Sequence, residues 1–216
     1  MTRTTNARIA GFTFLFYIAV AFPSMVLLSR ATSGEGTAAR LAGLAQHAAD
    51  VHLAVVLSLA GCFSALVLAV TLYAMTREQD PDLAMLGLIC RVAEGVTGAV
   101  SIPATLGLLW LATATGANAP APAGAQALGA FLLRPSPLDG ATFFAVGSTL
   151  FSWLLLRGRM IPAALAWLGV VASILLVVGL PLQLGGVLHG PITSLMWLPM
   201  AAYEIPLGVW LLVKGV

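Results

Sequence analysis

An all-α integral membrane protein, a six-helix transmembrane bundle with both termini cytoplasmic, is the fold class this sequence predicts. Three observations predict it. Hydrophobic residues fill 60% of the 216 positions and charged residues only 8%, whereas a soluble domain carries roughly 25% charged residues because its surface must face water. Six stretches are each apolar for close to the length that crosses a bilayer, about 20 residues. The basic residues are also distributed unevenly between the loops that join those stretches. A formal charge of +2 without a basic cluster excludes a nucleic-acid binder.

The stretches run Ile9–Leu28, Leu53–Met75, Leu83–Leu111, Thr142–Leu156, Ile161–Leu182 and Ser194–Val213. Arg3 and Arg8 before the first resemble the start of a signal peptide. The apolar run from Gly11 to Leu28 outlasts an ordinary signal core of about 7–15 residues, and no small-residue cleavage site follows it. It is expected to be a retained membrane helix. The fourth stretch is short and should extend toward Asp139. The third is long, and Pro103 should kink it or mark where it leaves the bilayer. Of the two long connections, Ser29–Ala49 should enter the second helix early, around Leu41, while Thr113–Pro137 contains a short apolar piece, Ala125–Leu133, suited to an interface. Neither could form a separate soluble domain, so residues 1–216 are read as one polytopic domain.

Lys and Arg concentrate on the cytoplasmic side of membrane proteins. With the N-terminus inside, the inner segments hold Arg3, Arg8, Arg77, Arg157, Arg159 and Lys214, against Arg30, Arg40 and Arg134 outside. Both termini are therefore expected in the cytoplasm, and the chain in the inner (plasma) membrane as a multi-pass protein.

Charges inside the spans mark the site. Arg91 and Glu94 interrupt the third stretch and Glu204 the sixth. A charge at membrane depth costs at least about 2.5–3.5 kcal/mol, so such residues are rarely idle. Arg91 and Glu94 are three apart and share a helix face, which Gly87, Gly98, Ser101 and Thr105 continue. Small and polar residues allow helices to approach closely and keep charges from lipid. At 1.5 Å per residue, Arg91 lies roughly 12 Å, Glu94 roughly 16 Å and Glu204 roughly 15 Å from the cytoplasmic end of a core about 30 Å thick. All three therefore fall near the midplane, where Arg91 could bridge both carboxylates. Whichever carboxylate takes the arginine leaves the other to exchange protons. Pro199 and Pro206 flank Glu204 and are expected each to free a carbonyl one turn upstream, and broken helices at mid-depth recur at substrate sites. The expected ligand-binding residues are Arg91, Glu94, Glu204 and Ser101. The same charges could instead form an ion pair that only fixes which helices meet.

Other constellations are weaker. Gln46, His47, Asp50 and His52 open the second helix. His47, Asp50 and His52 are weak metal candidates, since His52 points away from the other two and a metal needs convergent ligands. His189 falls in a loop, the five tryptophans read as interfacial anchors or packing residues, and Cys62 and Cys90 as small packing residues. No nucleophile elbow, phosphate loop, CxxC pair or HExxH motif is present. No cofactor is expected, and the balance leans against an enzyme. The lack of a basic cytoplasmic cluster argues against a headgroup sensor.

Read in order, ARIAGFTFLFYIAVA, LYAMTREQDPDLAMLGLICRVAEG, LLLRGRMIPAALAWLGVVASILLVVG and YEIPLGVWLLVKGV resemble the bacterial membrane family catalogued as domain of unknown function 4386, across essentially the whole chain. The resemblance implies a compact all-helical membrane domain and carries no established activity. It also implies an arginine at Arg91 and a glutamate at Glu204, both matched here. An acidic residue of the second helix, and histidines of the fourth, are replaced around Ala65 and by GATFFAVGSTLFSW. A histidine-based metal or proton relay therefore does not transfer.

Three functions remain open. The first is a small-ligand binding or carrier-type protein whose midplane polar site holds an apolar or amphiphilic molecule. The second is an accessory membrane subunit without a pocket. The third is an intramembrane enzyme in which Glu94 and Glu204 act as general acid and base on an isoprenoid-like substrate. The expected partners are the lipid bilayer, a small amphiphilic ligand, and a membrane-protein partner or second copy of the chain.

Overall fold

The computed structural model describes residues 2–133 and 138–216, with the side chains of 118, 138 and 139 excepted. Arg134 and the end of the connection at Pro137 lie outside the described residues. The described chain is helical, with no strand: α1 (Arg3–Ala31), α2 (Gly36–Gln46), α3 (Ala48–Thr76), α4 (Pro81–Thr113), α5 (Pro122–Leu132), α6 (Leu138–Arg157), α7 (Ala163–Leu184), α8 (Ile192–Leu195) and α9 (Leu198–Val213). Six segments are long and apolar enough to cross a membrane: α1, α3, α4, Gly140–Arg157 within α6, α7, and Ile192–Val213. A helix satisfies its backbone polar groups internally, which is what a lipid environment demands of a spanning segment. The chain is thus an all-α multi-pass membrane protein.

Three expectations need correcting. The second span does not begin near Leu41: α2 is a separate helix that ends at His47, and α3 starts afresh at Ala48. The break is local, because His47 leaves helical geometry (φ −108°, ψ 31°) while its N–H still bonds Gly43 O. Pro103 lies inside α4, which runs through it to Thr113. The sixth span is divided at Met196–Trp197, and Pro199 falls in the first turn of α9, where a missing N–H costs little. Only Pro206 stands inside that helix. Finally, the buried face of α4 runs through Ala84, Gly87, Arg91 and Glu94 but does not continue to Ser101, which is exposed. Toward its C-terminal end α4 is buried instead through Leu108, Leu109 and Leu111.

The chain divides into two compact units. The first comprises Met1–Ile18, Cys62–Thr97 and Leu138–Val216. Its core is aliphatic and aromatic, built on Leu68, Leu72, Phe151, Leu154, Leu176 and Leu207 among others. Glycines set how closely its helices meet. A Cβ on Gly11 would lie 2.6 Å from Gly208 O and 2.9 Å from Leu212 Cα, so α1 and α9 touch backbone to backbone. Small residues permit this approach, and it replaces the hydrophobic drive that lipid does not supply.

Several loops of this unit are tightly capped. Asp80 Oδ1 accepts from Leu83 N–H at 3.1 Å with Pro81 opening α4, and Asp80 Oδ2 takes Arg157 Nη1 at 3.2 Å. The α6 end closes with Met160 N–H on Leu155 O and Arg159 N–H on Leu156 O, a pattern in which the penultimate residue adopts left-handed geometry. Arg159 does so at φ 51°, whereas the equivalent turn after α7 uses Gly186 at φ 71°.

The second unit comprises Ala19–Gly61 and Gly98–Pro137. Its described core gathers Leu41, Leu44, Val51, Leu108, Leu109 and Leu111. Gly129 of α5 packs on Leu41 and Thr37 of α2. Ser24 Oγ donates to Ala54 O at 2.9 Å and meets Ser58 Oγ at 2.9 Å, joining α1 to α3. The apolar piece expected at Ala125–Leu133 lies mostly within α5.

Candidate functional site

All the residues of the candidate site belong to the first unit. Arg91 sits ten residues into α4 with its side chain 1% exposed, the largest of the fully buried side chains. Its aliphatic stem passes Gly147 of α6, where a Cβ would stand 3.2 Å from Arg91 Cγ and Cδ. The guanidinium carbon lies 5.0 Å from the Phe144 ring centroid and 5.9 Å from that of Tyr17. An aromatic face within about 6 Å attracts a cation electrostatically, so α1 and α6 both help to hold the charge.

Glu94, one turn on, is the arginine's ion partner: Nη1 stands 2.9 Å from Glu94 Oε2. The approach is close but not aligned, because none of Arg91 Nε, Nη1 and Nη2 has a hydrogen-bond partner among the described residues, and neither has Glu94 Oε2. The contact is therefore mainly Coulombic, with the N–H vectors aimed elsewhere. The other oxygen, Oε1, accepts from Tyr17 Oη at 2.9 Å. Glu94 thus has both a cation and a hydroxyl donor.

Glu204, on α9, is 7% exposed and takes part in no hydrogen bond or close ion pair among the described residues. It nonetheless shares with Arg91 the lining of a cavity of about 10 Å³, together with Ser148 and Ser152 of α6, Tyr203 of α9 and several apolar side chains. Ser152 Oγ donates to Tyr203 Oη at 2.9 Å. The Tyr203 ring lies against the backbone of α7 at Gly169, where any side chain would collide with it. Arg91 and Glu204 therefore line one small cavity, while the close ion contact of Arg91 is with Glu94.

Of the expected ligand-binding residues, the structure brings Arg91, Glu94 and Glu204 into one unit. Ser101 belongs to the second unit, is exposed and donates to Gly98 O at 2.6 Å. Sequence reasoning did not find Tyr17, Phe144, Ser148, Ser152 or Tyr203. A signal existed for two of them: Ser148 and Ser152 are four apart on the fourth span, in a phrase noted only for its lack of histidines. At the second helix start, His47 Nδ1 lies 3.3 Å from Asp50 Oδ2 while His52 is exposed. Among the described residues no three His, Cys, Asp or Glu side chains are placed to hold a metal. Cys62 and Cys90 are free thiols.

Fold and site together define a six-span helical membrane protein with a charged cluster enclosed among its helices. The chain belongs to the family described as domain of unknown function DUF4386, whose model matches residues 9–215. No curated protein and no solved structure matches it.

Proposed function

We propose that the chain is a binding or carrier-type protein of the bacterial inner membrane, with both termini in the cytoplasm and its ligand site at Arg91 and Glu204. One observation carries the reading. A buried guanidinium without hydrogen bonds and a carboxyl without a hydrogen-bond partner line the same small cavity. A buried polar group left without partners costs roughly 1–3 kcal/mol, which a scaffold would gain nothing by retaining. Intramembrane ionisable residues facing a cavity typically mark a ligand or ion path. The basic residues support the orientation: Arg3, Arg8, Arg77, Arg157, Arg159 and Lys214 all fall in segments assigned to one side.

The cavity also limits the reading. Pockets that hold drug-sized ligands measure about 300–1,000 Å³, so about 10 Å³ corresponds to a closed form. An amphiphilic ligand would have to part the helices, and the divided sixth span at Met196–Trp197 is the natural place for movement. The small volume equally favours a second reading, an accessory subunit in which the charges fix helix pairing.

Native mass spectrometry of gently extracted protein, wild type beside Glu204→Ala, separates the two. The carrier reading predicts a discrete bound mass on the wild type that the variant loses. A wild type with no bound species, beside a variant that is merely less stable, would leave the accessory reading standing.

A further inference from the structure

The geometry points to a single bound water that joins Arg91 to Glu204 and makes Glu204 a proton-exchange site. The inference rests on the assignment of the polar site to these two residues, and adds what occupies it in the closed form.

Volume gives the first argument. About 10 Å³ of cavity is close to the 10–15 Å³, about one probe sphere, that a water needs, and such a water requires two to four polar partners. They are present. Arg91 Nε, Nη1 and Nη2 are buried donors with no hydrogen bond, Glu204 is an acceptor with none, and the Ser148 hydroxyl is likewise without a partner among the described residues.

Chemistry decides between occupants of that size. A small cation would face the guanidinium, and a small anion would face Glu204 with Glu94 close behind. Water alone can accept from Arg91 and donate to Glu204. The charged and titratable groups facing Glu204 are few: Arg91 and Glu94 from α4, Tyr17 from α1 and Tyr203 on its own helix. α6 contributes only the hydroxyls of Ser148 and Ser152, α3 contributes Leu72, and α7 has no ionisable residue.

Charge counting completes the case. One arginine against two glutamates is neutral with one proton aboard, and a net charge without solvent is costly. Glu94 is engaged by Arg91 and by the Tyr17 hydroxyl, which leaves Glu204 to carry the exchangeable proton. On release, the Glu204 O–H bond breaks, the proton passes to the water and on to solvent, and the electron pair stays on the carboxylate. Uptake reverses this.

Infrared difference spectroscopy between acid and alkaline buffer, on the protein in nanodiscs, tests the inference. A carboxylic-acid carbonyl band should appear on acidification, be lost in Glu204→Gln, and keep its frequency in Tyr17→Phe, which removes the hydroxyl donor of Glu94 and leaves the charge count unchanged. A water O–H band should shift in H2(18)O and disappear in Ser148→Val, whose larger apolar side chain fills the cavity. A carbonyl band that survives Glu204→Gln or shifts in Tyr17→Phe, or no oxygen-isotope-sensitive band in the wild type, overturns the proposal. The isotope test needs only wild-type protein, so it stands even if a variant fails to fold. Failure of the carrier reading shows separately, as a missing bound mass with both bands intact.

Discussion

Arg91→Ala is expected to lower stability by about 3–5 kcal/mol, the usual cost of removing one partner from a buried ion pair. The reason is specific to this cluster. Without the guanidinium, two glutamates, each 7% exposed, are left with no cation among the groups that face them. The Phe144 and Tyr17 rings, 5.0 and 5.9 Å from the guanidinium carbon, also lose the cation they flank. Reversible unfolding in nanodiscs or mixed micelles reads the loss. The double variant Arg91→Met with Glu94→Gln should recover most of it, because replacing both members of a buried pair is often nearly neutral and glutamine can still accept from Tyr17. A double variant no more stable than Arg91→Ala would show that the arginine's main partner is not Glu94.

The second large effect comes from a position with no charge. Gly11→Ala should destabilise by about 1–3 kcal/mol, the range for overpacking a filled interior, and should loosen α1 from α9. The added Cβ would meet Gly208 O at 2.6 Å and the backbone of Leu212. Backbone cannot swing aside as a side chain can, so the two helices must separate. Gly124→Ala is the control: it lies on α5 with nothing within 4 Å of the new Cβ. Alanine is there the better helix former by roughly 0.5–1 kcal/mol, so this variant should match or exceed the wild type in the same unfolding assay.

The fold was legible because length and hydropathy decide spanning helices almost alone: five of the six predicted stretches lie within the observed spanning segments, and the fifth, Ile161–Leu182, starts two residues ahead of α7. What escaped was local. Nothing in the pattern around Leu41 distinguishes an early start of the second span from a separate helix closed at His47. In the site, the three charges stood out because charge inside an apolar run is rare. Their helix periodicity grouped Arg91 with Glu94 and also with Ser101, but periodicity gives only angular position. Whether a face is buried depends on what packs there, and at Ser101 nothing covers the side chain. Tyr17, Phe144 and Tyr203 passed as ordinary span residues because an aromatic in a membrane helix has many reasons to be present. Their roles depend on contacts 77, 51 or more positions apart in the chain.

The central claim is the division of labour between the two carboxylates: Glu94 neutralises Arg91, and Glu204 stands free beside the cavity. The stabilities of Glu94→Gln and Glu204→Gln, measured side by side at one pH, test it most directly. Glu94→Gln should cost about 1.5–3 kcal/mol, the worth of a hydrogen bond or close contact to a charged group. Glu204→Gln should remain within about 0.5 kcal/mol of wild type, since Glu204 has no hydrogen bond to another described residue and the amide oxygen can still accept from a bound water. The reverse order, with Glu204→Gln the more damaging, would contradict the account and make Glu204 the arginine's partner.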